Sequence, residues 1–193
     1  MRTSARVAAT LLTATVVIGG TATSASAQAA TVKDKSADVI SYADANDEQG
    51  TVLGYSDSVA SGADIRSLKV DHGTKKVTVT LKFSNLKSTT SASIVFRPGN
   101  KRQPNRVLVN TGRKSGEVYD LKYKARCAVP LKTKLGKGGY VKATVKRSCL
   151  GSPKKLKVTA SSFGFEANGG GFVDSLSKGN PRGTTFTKAL KSS

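Results

Sequence analysis

Leu68-Lys69-Val70-Asp71-His72-Gly73-Thr74-Lys75-Lys76-Val77-Thr78-Val79-Thr80-Leu81-Lys82-Phe83 is the stretch that decides the fold. Leu68, Val70 and His72 share one parity, with Lys69 and Asp71 on the other. Gly73-Thr74 reads as a turn, after which Val77, Val79, Leu81 and Phe83 alternate with Thr78, Thr80 and Lys82. Successive side chains of a strand point to opposite faces, so this period of two is a hairpin with one apolar and one polar face.

The pattern repeats outward from that hairpin. Ile94-Val95-Phe96 runs to Pro98-Gly99-Asn100, and Val107-Leu108-Val109 to Thr111-Gly112. Tyr119, Leu121 and Tyr123 alternate with Asp120, Lys122 and Lys124; Val141, Ala143 and Val145 with Lys142, Thr144 and Lys146. Leu156, Val158 and Ala160 alternate with Lys155, Lys157 and Thr159. At least seven short strands between turn residues, with no convincing helical stretch, predict an all-β fold, a single antiparallel β-sandwich of jelly-roll or immunoglobulin-like type. With no Trp in the chain, the core must come from Val, Leu, Ile, Phe and Tyr.

The first residues read as an export signal. Arg2 and Arg6 are a positive start, Val7 to Ile18 is apolar, and Ala25-Ser26-Ala27 is a small-x-small cleavage pattern. Cleavage is expected after Ala27, or after Ala29 at the second such pattern, Ala27-Gln28-Ala29. The apolar run is shorter than the roughly 20 residues a helical span needs, so no membrane span is predicted and the product is expected outside the cell. An oxidising compartment favours a bridge between Cys127 and Cys149, the only cysteines. The expected organisation is a signal at 1–27, an acidic segment at 28–63 with an edge strand near Asp38 to Tyr42, a sandwich core at 64–174, and a loose tail at 175–193.

Charge is unevenly placed. The chain holds 32 Lys+Arg against 12 Asp+Glu, a formal +20, with lysines outnumbering arginines 22 to 10. Residues 28–72 carry eight acids and four bases, whereas 73–193 carry four acids and 26 bases. Either the acidic part clasps the basic one, or a basic face is left for a partner. If Tyr119, Leu121 and Tyr123 point inward, Lys122, Lys124 and Arg126 point outward. By the same parity so do Lys142 and Lys146, and Lys155 and Lys157. These seven are the candidate ligand-binding residues, each a point charge toward an anionic polymer: a wall polymer, extracellular nucleic acid or a glycan. Lysine suits such diffuse attraction better than bidentate reading of phosphate.

Other chemistry finds less support. His72 is the only histidine, which excludes multi-His sites; beside Asp71 it could act as a base, though a capped or solvated hairpin end is the simpler reading. No Gly-x-Ser-x-Gly elbow occurs. Asp44-Ala45-Asn46-Asp47-Glu48-Gln49-Gly50 offers oxygen ligands, but Gln49 stands where an EF-hand loop needs Gly and Tyr55 where it needs Glu. A calcium site at Asp44 and Asp47 with a distant Asp stays open beside a solvated turn. No cofactor and no catalytic residue is expected, and the chain reads as a monomeric, non-enzymatic binding protein. The alternatives are a carbohydrate- or protein-binding accessory module acting through loops, and an unidentified secreted hydrolase.

The run Ala63-Asp64-Ile65-Arg66 through Val70-Asp71-His72, then Val77 to Leu86, resembles uncharacterised secreted proteins of actinobacteria, as does Val145-Lys146-Arg147-Ser148-Cys149-Leu150-Gly151-Ser152-Pro153. More remotely, the strand arrangement is similar to DOMON-like and family 9 carbohydrate-binding modules. The resemblance implies a β-sandwich and export, with the bridge closing before a final strand. It implies no ligand, because the mature chain has no Met for haem and no Trp for sugar stacking.

Overall fold

A computed structural model describes residues 28–34, 38–99, 105–120, 122–166, 169–177 and 179–192. The expected signal at 1–27, the turn residue Asn100, the strand residue Leu121 and the loop residue Asn168 lie outside the described residues. Along the chain come β1 (Gln28–Lys33), β2 (Ile40–Tyr42), β3 (Thr51–Val52), a short helix α1 (Tyr55–Ser61), β4 (Ile65–His72), β5 (Lys76–Phe83), β6 (Asn85–Leu86) and β7 (Ser91–Pro98). Then follow β8 (Asn105–Asn110), β9 (Ser115–Tyr119), β10 (Ala125–Lys134), β11 (Gly136–Lys137) and β12 (Tyr140–Lys146). A 3-10 turn at Arg147–Leu150 leads to β13 (Lys155–Phe165), β14 (Gly171–Ser175) and β15 (Leu190–Lys191).

The central hairpin forms as its alternation predicts. β4 and β5 pair antiparallel with Leu68 opposite Leu81 and Val70 opposite Val79, and these four are fully buried. The order of the large sheet is β1-β4-β5-β12-β10-β9-β8-β7-β13-β14-β2-β3, with β15 on β13. All its pairings are antiparallel. β10 is where it curls: Leu131 to Lys134 pair with β12, while Ala125 to Pro130 pair with β9 across a register break at Arg126. An extra residue in one strand sharpens its local bend. The two halves close on one core containing Val141, Ala143 and Val145 from one side and Leu156, Val158 and Ala160 from the other. Each buried Val or Leu side chain among these contributes about 1.5–3 kcal/mol of transfer free energy.

The disulfide joins Cys127 of β10 to Cys149 of the 3-10 turn, with Cα atoms 5.9 Å apart. The Arg147-Ser148-Cys149-Leu150-Gly151 segment is a structural corner. The Arg147 guanidinium donates to the carbonyls of Thr74 at 2.6 Å and Pro153 at 2.9 Å. Gly151, at φ 75°, takes the left-handed conformation that ends the turn.

Two expectations are corrected. The alternation at Tyr119 to Lys124 is not a strand beyond Tyr119. Asp120 Oδ1 accepts from the backbone N–H groups of Lys122 at 2.9 Å and Lys124 at 3.0 Å, closing a tight loop. Tyr123 has φ 54° and is exposed, since a short carboxylate that can bond amides two and four residues on competes with the ladder. The segment 28–63 joins the large sheet: β1 lies beside β4 over six residue pairs, and β2, at the place of the edge strand expected near Asp38 to Tyr42, lies between β14 and β3. The tail from Ser175 is not loose. Leu176 and Thr187 donate their N–H groups to Ala160 and Val158, Ser192 donates to Lys154, and Leu190 is buried. Low complexity hid a segment that completes the edge of β13.

Candidate functional site: two outer faces and a buried acidic cluster

Where β1, β4, β5, β12 and the end of β10 lie side by side, the outward residues fall into rows. One row reads Thr31, Lys69, Thr80, Lys142, Lys132. The next reads Lys33, Ser67, Lys82, Tyr140, Lys134. Two lysine pairs stand directly opposite each other, Lys132 with Lys142 and Lys76 with Lys146. Strands are about 4.8 Å apart, and like charges directly across a pair destabilise it. The acid on this face is Asp71, whose carboxylate is 3.6 Å from Lys69 Nζ.

The sheet brings together only part of the expected set. Lys142 and Lys146 lie on this lysine face. Lys155 and Lys157 are on β13, whose inward neighbours meet those of β12 in the same core, so they point away on the other side. There Lys157 is opposite Arg97 and Lys155 opposite Lys191. Lys122 and Lys124 sit in the Asp120 loop, and Arg126 at the break in β10, its guanidinium 3.1 Å from Asp120. The loop amides, first that of Lys124, together with Arg126 hold the Asp120 carboxyl below the usual range. Lys69, Lys76, Lys82, Lys132 and Lys134 were missed, because alternation alone does not say which strands become neighbours.

The opposite outer face differs in chemistry. Its rows read Ser175, Ser161, Ser93, Leu108, Glu117 and Thr159, Val95, Arg106, Tyr119. Two adjoining cavities of about 400 and 360 Å³ lie on it, both lined by Leu108 and Phe163. The Tyr119 hydroxyl donates to Glu117 at 2.5 Å, and this bond raises its pKa. Phe186 of the tail stacks under the Arg97 guanidinium at 4.3 Å.

His72 is fully buried rather than solvated. Its Nδ1 is 3.1 Å from the Leu190 carbonyl, so that nitrogen carries the proton and donates. Burial, aided by the Arg147 charge, holds its pKa below the usual value against the opposing pull of the Leu190 bond. A ring facing the core cannot meet a substrate. The Asp44–Gly50 segment is a carboxylate-capped turn. Asp47 accepts from the amides of Gly50 at 2.8 Å, Ala43 at 3.0 Å and Gln49 at 3.2 Å, and Asp44 from Asn46 at 2.7 Å. These bonds, Gly50 first, lower the Asp47 pKa.

A different set of acids converges. Asp38, Asp64 and Asp174 are buried, and one carboxylate oxygen from each lies within 4.8 Å of the others. Gly62, at φ 81°, ends α1 and turns the chain so that Asp64 enters this cluster just before β4. Asp174 Oδ2 accepts from the Ile65 N–H at 2.6 Å, and Asp38 accepts from the Ser177 hydroxyl at 3.0 Å. Ser84 donates its hydroxyl to Asp64. Burial, with the charges of Asp34, Asp38 and Asp64, pushes the Asp174 pKa up to about 8 although the Ile65 amide opposes it. No position in the sequence marked these acids as partners, since they are far apart along the chain.

Among the described residues no helix is long and apolar enough to cross a membrane. Comparison with protein-family models, with curated proteins and with solved structures gives no match.

Proposed function

We propose that this is an exported, non-enzymatic binding protein whose lysine face docks on an anionic polymer of the cell envelope or its surroundings. The observation that carries the reading is the register that sets Lys132 opposite Lys142 and Lys76 opposite Lys146. Repulsion across those pairs weakens the sheet, and a polyanion lying over the rows would relieve it while releasing its own counterions. Lys142 and Lys146 keep the role expected of them, joined by Lys69, Lys76, Lys82, Lys132 and Lys134. Lys155 and Lys157 belong to a separate basic end, and Lys122, Lys124 and Arg126 to an exposed loop partly neutralised by Asp120.

The test is a titration against teichoic acid, DNA and a sulfated glycan at several salt concentrations, with cellulose, chitin and peptidoglycan as comparison. Affinity for the anionic set should fall linearly on a log–log plot, by roughly 0.7–0.9 per engaged charge where the polymer is a nucleic acid. Binding that ignores salt sinks the reading. A second reading, an accessory module for a neutral glycan or a peptide, draws on the adjoining cavities around Leu108 and Phe163. It predicts salt-insensitive binding to one of the neutral polymers, lost in Phe163→Ala.

A further inference from the structure

We propose that Asp38, Asp64 and Asp174 form a binding site for a hard divalent cation, calcium before others. Three carboxylates meet in a place where their residues are 2%, 0% and 1% exposed, and concentrated negative charge withdrawn from water is costly unless something positive joins it. The contacts around the cluster leave capacity for a ligand. Asp64 accepts the Ser84 hydroxyl on Oδ2 and Asp174 accepts the Ile65 amide on Oδ2, but Oδ1 of each is buried and accepts no hydrogen bond. A buried carboxylate oxygen without a donor is the atom that a metal ion satisfies.

The donor chemistry selects the ion. The set is all oxygen, with neither the imidazole nor the thiolate that zinc and copper sites use, and carboxylates suit calcium, magnesium or manganese. Oxygens bound to one calcium ion at about 2.4 Å can stand no more than about 4.8 Å apart, a limit the three oxygens meet. Calcium also accepts an irregular shell of six to eight oxygens completed by water or carbonyls. Such an ion would tie together the segment before β2, the start of β4 and the end of β14. The Asp44–Gly50 turn is a poor competitor, because its two aspartates already accept from backbone amides.

The rival is a proton shared within the cluster, toward which the raised pKa of Asp174 also points. Melting curves and calorimetry of protein unfolded and refolded in chelator, with and without added calcium chloride, separate the two. A calcium site predicts a saturable isotherm and a melting temperature raised by about 5–10 °C at a hundredfold excess over Kd. Asp174→Asn and Asp64→Asn should each weaken calcium binding at least about tenfold, while Asp44→Asn/Asp47→Asn should leave it unchanged. The wild-type titration stands alone if a variant fails to fold. No melting shift and no isotherm at about 10 mM calcium overturns the proposal, as does binding lost only in the Asp44/Asp47 variant.

Discussion

The two outer faces of this curled sheet are written in the same code and end with different chemistry. On β12 and on β13 alike, apolar residues alternate with lysine or threonine. Yet Lys142 lands beside Lys132 and in the same row as Lys69, with Thr80 between them, on a face with rows of lysine and threonine. Lys157 lands beside Arg97, at the end of a face whose centre is Ser93, Ser161, Val95 and Leu108. A cation's consequence therefore depends less on its own strand than on its neighbours across the ladder. On the first face like charges compound, while on the second one guanidinium is covered by Phe186 and the polar centre is hollowed into cavities.

The largest effect should come from inverting the first face alone. Lys69→Glu/Lys132→Glu/Lys142→Glu should lower affinity for an anionic polymer by about 100- to 1000-fold at low salt and flatten the log–log salt slope by about 1 per lysine. Lys155→Glu/Lys157→Glu should change it severalfold at most. Equal losses from both sets would erase the distinction between the faces.

Next in size is the strand that joins the halves. Cys127→Ser/Cys149→Ser removes a closure of 22 positions, worth about 3 kcal/mol in the chain-entropy model, and denaturant melts should show the loss. The second face leans on its tail, so Leu190→Ala should cost about 2–3 kcal/mol through a cavity under β13; a loose tail would show no change.

A smaller effect links the halves through pH. His72 is buried in its neutral form, with a folded pKa below the unfolded 6.5. Between those values the unfolded chain binds more protons, so this contribution to stability is complete above about pH 6.5 and is lost as pH falls below it. His72→Leu should abolish that part of the slope in pH-dependent melts. Smallest is Tyr123→Gly, expected to be neutral or stabilising by up to about 1 kcal/mol, because it relieves a left-handed backbone at an exposed site. A loss of several kcal/mol would instead place Tyr123 in the core.

Legibility followed the range of the interaction. The β4–β5 hairpin was readable because alternation and turn lie within twenty residues, and β12 and β13 because their inward residues are unbroken. Reading failed at Tyr123, where Asp120 captures nearby amides and ends the pattern early, and in the tail, where Leu176 and Leu190 are isolated apolar residues in a polar stretch. It failed for the acidic cluster because Asp38, Asp64 and Asp174 look like ordinary solvated acids until β2, β4 and β14 are assembled.

By itself, the sequence determined the all-β character, the disulfide partners and the inward or outward sense of most strand residues, since strand period and the chemistry of two cysteines are local or exhaustive properties. Only the tertiary structure decided which outward lysines share a face, that His72 is enclosed, and that three distant aspartates meet. Those outcomes depend on strand order and register, which are set by packing two sheet halves around one core.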